Sequence, residues 1–150
     1  MADRQAAAAP ESVPRTYAMV VPATPTNIAL LAQQALEHPT DFLCIHGTEI
    51  NFLEIYRYAY ARVMSLALYN GEQGRMAIAE AGFYMGEEPG FRTLHCNFCN
   101  IIMINLPATP SIQQLHRSFH PACPFVVSPE AAGNINIYNH PNPGELSNFG

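Results

Sequence analysis

Apolar positions change their rhythm near the middle of the chain. Upstream of Phe83 they recur at helical spacing; downstream they come in short runs between turns. Ile28, Leu31, Ala32, Ala35 and Leu36 share one helical face, and Pro39 closes that segment. A longer apolar stretch follows from Ile50 to Tyr69, with Phe52, Leu53, Ile55, Tyr56, Ala59, Tyr60, Val63, Leu66 and Leu68 on a wide face. Asn70-Gly71 is its expected stop, with Gly in the left-handed position. A third helix is expected over Glu72 to Ala81, closed by Gly82. Phe83-Tyr84, Phe91 to Cys96 and Ile101 to Leu106 then read as a small antiparallel meander. Thr109-Pro110 reads as the start of a last helix, with Ile112, Leu115 and Phe119 as its buried stripe and Pro121 as its end. Residues 1–26, rich in Ala, Pro and Thr, are expected to be a flexible arm, and 128–150 extended or mobile.

The predicted class is α+β: a three-stranded antiparallel sheet surrounded by short helices. At 150 residues the chain has room for one compact domain. No run of eighteen apolar residues occurs, which excludes a membrane-spanning helix. No secretory signal pattern opens the chain, so a cytoplasmic, reducing location is the expectation. The net charge of −5, with the basic residues scattered singly, argues against nucleic-acid binding. All the basic residues are arginine, so the chain offers no side-chain amine for ubiquitin attachment.

Four cysteines change the picture: Cys44, Cys96, Cys99 and Cys123. Cys96 and Cys99 stand C-x2-C, a spacing at which one tight turn aims two sulfurs at one point. His116 follows after sixteen residues and Cys123 after six more. Three thiolates and one imidazole make a closed tetrahedral set, which points to one structural Zn2+. His95 and His120 are alternative nitrogen ligands, although His95 should point to the sheet face opposite Cys96. Cys44 reads as a small buried residue. Cys44-Ile45-His46 offers two donors for a second site, but no further pair to complete it. Ser65, Ser111 and Ser118 lack a spaced His and carboxylate, so no catalytic residue is assigned and the chain is not expected to be an enzyme.

Ala79-Glu80-Ala81-Gly82-Phe83-Tyr84, then Cys96-x2-Cys99-x16-His116-x6-Cys123 with Pro124-Phe125-Val126, resembles the baculoviral inhibitor-of-apoptosis repeat, or BIR domain. Arg62-x2-Ser65-Leu66 stands where that family has its arginine signature, and Gly133-Asn134-Ile135 is similar to the Gly-Asn-Val that often follows it. The resemblance covers roughly 55–137, read as a BIR-like zinc domain; composition and periodicity give a flexible arm at 1–26, a helical extension at 27–54 and a flexible tail at 138–150 around it. The resemblance implies a single-repeat inhibitor of apoptosis, viral by its small size and altered groove. Such a protein would bind caspases or their proapoptotic regulators without catalysis of its own.

The family's peptide groove runs along the third strand and the next helix. By alignment on the zinc ligands it would comprise Met103, Ile104, Asn105, Leu106 and Phe119. Pro110 and Ser111 stand where the family has an acidic clamp for a peptide ammonium. Loss of that charge-assisted bond costs roughly 1.5–3 kcal/mol. The alternative is therefore a zinc-stabilised assembly module that kept the fold and lost death-pathway binding. Glu87-Glu88-Pro89-Gly90 lengthens the loop between the first two strands of the meander.

Overall fold

A computed structural model describes residues 16–22, 24–50, 52–86 and 93–136. The long loop expected at 87–90, the arm before residue 16 and the tail from 137 lie outside the described residues.

The sheet has five strands, and this corrects the three-stranded expectation. In chain order they are β1 (Thr16–Val21), β2 (Phe42–Gly47), β3 (Phe83–Met85), β4 (Thr93–Cys96) and β5 (Ile101–Ile104). Their spatial order is β1-β2-β5-β4-β3. The expected meander is present as β3, β4 and β5, paired antiparallel. Two strands from the N-terminal side extend it. β2 runs antiparallel to β5, and β1 runs parallel to β2. Thr16–Val21, read from composition as part of a flexible arm, is thus a strand. Its β-branched and aromatic residues suit a pleated surface.

The parallel pair needs a crossover, and helix α1 (Pro25–Ala35) supplies it. Thr24 caps α1 through a bond from the Asn27 amide, and Pro25 occupies the first turn. Ile28 and Ala32 pack with Leu43, Ile45, Ile102 and Ile104 into an apolar cluster on one face of the sheet.

The second, larger cluster lies on the other face. It joins Phe42, Cys44, Ile101 and Met103 to Leu66, Ile78, Phe83, Leu94, Phe98, Leu115 and Phe125. Helices α2 (Ala59–Ser65), α3 (Arg75–Glu80), α4 (Ile112–Phe119), α5 (Pro124–Val127) and α6 (Pro129–Ala132) belong to this side. The apolar stretch from Ile50 to Tyr69 is not one helix. A 3-10 turn covers Glu54–Arg57, and Tyr58 is extended before α2 begins. Two contacts hold this break: the Arg62 guanidinium takes the carbonyls of Tyr56 and Arg57, and Ile135 bridges Tyr58 through the Arg57 carbonyl and the Ala59 amide.

α2 ends at Ser65, before Gly71. Gly71 is not left-handed; a Cβ there would fall 2.1 Å from the Tyr69 hydroxyl, so close approach selects the glycine. Gly82 does end α3 in the left-handed region, at φ 96°, against the Phe125 ring. Helix α4 is capped by Ser111, not Thr109. Ser111 and Gln114 form a reciprocal capping box. Residues 128–136, expected to be extended, form α6 and a bridge from Ile135 to Tyr58. Among the described residues, no helix is long and apolar enough to cross a membrane.

Candidate metal centre

Two ligand loops meet under the sheet. β4 ends at Cys96, and the four-residue turn to β5 carries Cys99. The Phe98 amide donates to Cys96 Sγ at 3.4 Å, which holds the turn closed. Asn97, fully buried, binds both backbone groups of Leu53, donating to its carbonyl at 3.0 Å and accepting its amide at 2.8 Å. That clamp anchors the turn from outside. The capping box sets the start of α4 and so the position of His116 one turn later. His116 packs edge-on against Phe83, with ring centroids 4.7 Å apart. Cys123 follows on the other side of Pro121, and its amide donates to the His120 carbonyl.

The four expected ligands converge. Cys96 Sγ lies 3.9 Å from Cys123 Sγ, and Cys99 Sγ lies 3.5 Å from His116 Nε2. All four donor atoms lie within 4.8 Å of one another, and all four residues are buried. Tetrahedral angles with zinc–sulfur bonds of about 2.3 Å and a zinc–nitrogen bond of about 2.0 Å give edges of about 3.8 and 3.5 Å. The observed distances fit. The sulfurs are too far apart for a disulfide, and the cysteines are free. Burial pushes the Cys96 thiol up. Cys99 is pushed up to about 12, chiefly by its hydrogen bond to Cys123, while bonds from Cys96 and Cys99 bring Cys123 down. Three thiols at this spacing all become thiolates only if a cation takes the proton positions. This is a structural Zn2+ site: the protein fills all four positions and leaves none for a substrate.

The alternatives drop out on geometry. His95 is on the other face of β4, stacked on Tyr84 at 5.4 Å. His120 is the C-cap of α4 and stands outside the ligand group. Cys44 is fully buried, with its thiol pushed up to about 12 by burial. Its Sγ is 4.0 Å from His46 Nε2, but among the described residues no third donor completes a second site.

Residues 62–127 match the family model described as BIR, the Inhibitor of Apoptosis domain. This segment is a BIR domain. No curated protein matches the chain. A BIR domain is typically a non-catalytic protein-interaction module, and its usual zinc site is the Cys3His set found here.

The groove candidates lie in β5, just after it and at the end of α4. Met103 and Ile104 are buried in β5, whose two edges are taken by β4 and β2. β2 pairs Leu43 with Ile104, Cys44 with Met103 and Ile45 with Ile102. The β5 edge opposite β4 is therefore filled by the chain itself. Asn105, with φ 60°, donates from its side chain to the Ala35 and His38 carbonyls, tying the end of β5 to the end of α1. Phe119 is half-buried and packs edge-on against Phe42 at 6.0 Å. Leu106 is half-buried and, with Asn105, Glu72, Tyr69 and Pro39, lines a hollow of about 230 Å3. Ser111 is consumed as the cap of α4, and Gln73 ties the preceding loop through the Pro107 and Pro110 carbonyls and the Ile112 amide.

The residues that sequence reasoning missed are those of β2 and the Gln73 and Asn97 clamps. A signal for β2 was present: Phe42 to Ile45 is a continuous apolar run bounded by Asp41 and Gly47, as a strand buried on both faces requires.

Proposed function

We propose that the protein is a non-catalytic, zinc-stabilised interaction module whose β5 edge is reserved for its own β2. Its protein partner then engages another surface. The observation that carries this reading is the β2–β5 ladder from Leu43 to His46, reinforced by Phe42 against Phe119 and by the α1 cluster. A peptide adding a strand to β5 would have to displace paired backbone and buried side chains. Strand addition draws its affinity from open backbone groups, and none is on offer there.

A second reading keeps the family's mode: inhibition of apoptosis by binding caspases or proapoptotic regulators. The hollow beside Asn105 and Leu106 favours it, because Glu72 lines that hollow and could meet a peptide ammonium that Pro110 and Ser111 cannot hold. The experiment that separates the two is a fluorescence-polarisation titration of the zinc-loaded full chain with an Ala-Val-Pro-Ile peptide, free or acetylated at its N-terminus. The first reading expects no saturable binding by the wild type and a gain in Ile45→Asp, which unseats β2. Micromolar binding by the wild type, lost on acetylation, would establish the second.

A further inference from the structure

Arg62 is fully buried, and among the described residues its guanidinium has no carboxylate partner. Its nitrogens donate to the carbonyls of Ala79, Tyr56 and Arg57 and to Asn134 Oδ1, at 2.7 to 3.1 Å. All these acceptors are neutral. They satisfy the hydrogen bonds but leave the charge without a countercharge. A buried cation in that state is costly, because neutral dipoles replace only part of its hydration.

The surroundings of the guanidinium lead to the metal centre. Its Cζ lies 5.6 Å from the Phe98 ring centroid and 5.5 Å from that of Phe125. These two rings stack on each other at 5.0 Å. Phe98 sits between Cys96 and Cys99 in one ligand loop, and Phe125 is two residues beyond Cys123 in the other. The cation therefore rests on the aromatic side chains of the loops that hold the zinc. Loaded, that site has three thiolate charges against two on the ion, with a neutral imidazole, and so keeps one net negative charge. Both rings are buried and apolar, and in such surroundings opposite charges act more strongly than in water.

We propose that the zinc–thiolate centre is the buried countercharge of Arg62, so that Arg62 is a positioning residue for the loaded metal site as well as a brace for the loops. Burial lowers Arg62 to about 10, and the charge of Cys96 acts against that fall, in keeping with the geometry. The pairing also explains why a hub that ties α2 to Tyr56, Arg57, Ala79 and Asn134 is an arginine carrying a full charge when its direct partners need none.

The test is a double-mutant cycle on the zinc-saturated full chain. Arg62→Met removes the charge and keeps much of the volume. Cys99→His converts the ligand set to Cys2His2, whose zinc complex is neutral. Denaturant unfolding of the four proteins, with zinc content verified, is the readout. The expected result is that Arg62→Met reduces the folding equilibrium constant at least tenfold less in the Cys99→His background than in the wild type. Equal reductions in both backgrounds would overturn the proposal. Where Arg62→Met fails to fold, Arg62→Lys decides: it keeps the charge and loses the planar fork. Zinc affinity within about threefold of wild type, measured by chelator competition, is expected despite lower stability. A tenfold or greater loss of zinc affinity in Arg62→Lys would show that hydrogen bonding and not charge serves the site.

Discussion

The two faces of β5 are held by different means. On one, α1 and the β1–β2 pair rely on an apolar cluster centred on Ile28, Ala32, Leu43 and Ile45, and on strand pairing. On the other, five short helices and the β3–β4 hairpin gather around a Cys3His site and a buried arginine. The helices of the second region are seven, six, eight, four and four residues long, too short to persist by themselves. Metal ligation does there what a larger core would otherwise do. The first region has no such staple; its stability is borrowed from β5. The lesson is directional. The N-terminal unit depends on the zinc side, while the zinc side uses β2 as a cover.

Zinc removal should give the largest effect. Structural zinc contributes on the order of 10 kcal/mol in small zinc-finger peptides. Strong chelation is expected to unfold residues 60–130 and to take the β1–α1–β2 unit with them, since β5 loses its β4 neighbour. The measurement is near-ultraviolet circular dichroism, which reports the packed rings around Phe83, Phe98 and Phe125. An unchanged spectrum after verified zinc removal would break the comparison.

The converse substitution should be smaller and local. Ile28→Ala deletes a buried side chain from the α1 cluster and should cost about 2–5 kcal/mol within that unit. Zinc stoichiometry should be unchanged, while amide exchange across Phe42–Gly47 accelerates. Loss of zinc from this variant would mean that the dependence runs both ways.

The smallest expected effect is a pH dependence at the seam between the regions. Burial, and then the neighbouring His120, hold His46 below its ordinary value. The unfolded chain therefore binds more protons than the fold as pH falls. The stability carried by neutral His46 is full above the ordinary histidine value of about 6.5 and is lost below it. Removing this group with His46→Gln should flatten the acid limb of a denaturation-midpoint profile, recorded where zinc remains bound. An unaltered limb would remove His46 from the account.

The metal centre was legible because its chemistry is local in type and spacing. Cys96-x2-Cys99, His116 and Cys123 can do little else together, and Gly82 announced the end of α3. The cover over β5 was not legible for a physical reason. β1 and β2 pair in parallel across an intervening helix, and β2 then pairs with a strand more than fifty residues away, so no turn motif marks the contact. Composition also misled. Thr16–Val21 lies beside Ala- and Pro-rich sequence, and its own β-forming character was lost in that average. The break at Tyr58 escaped because an apolar face looks helical whether or not Arg62 takes its carbonyls. Ser111 was read as an absent clamp and proved to be a present cap.

The most direct test of the covered edge is residue-resolved hydrogen exchange in the zinc-loaded full chain. With β2 and β4 on its two sides, every amide from Ile101 to Ile104 should exchange slowly, and Ile45→Asp should release alternate ones. Fast exchange at alternate residues of β5 in the wild type would mean that the edge is open and would contradict the account.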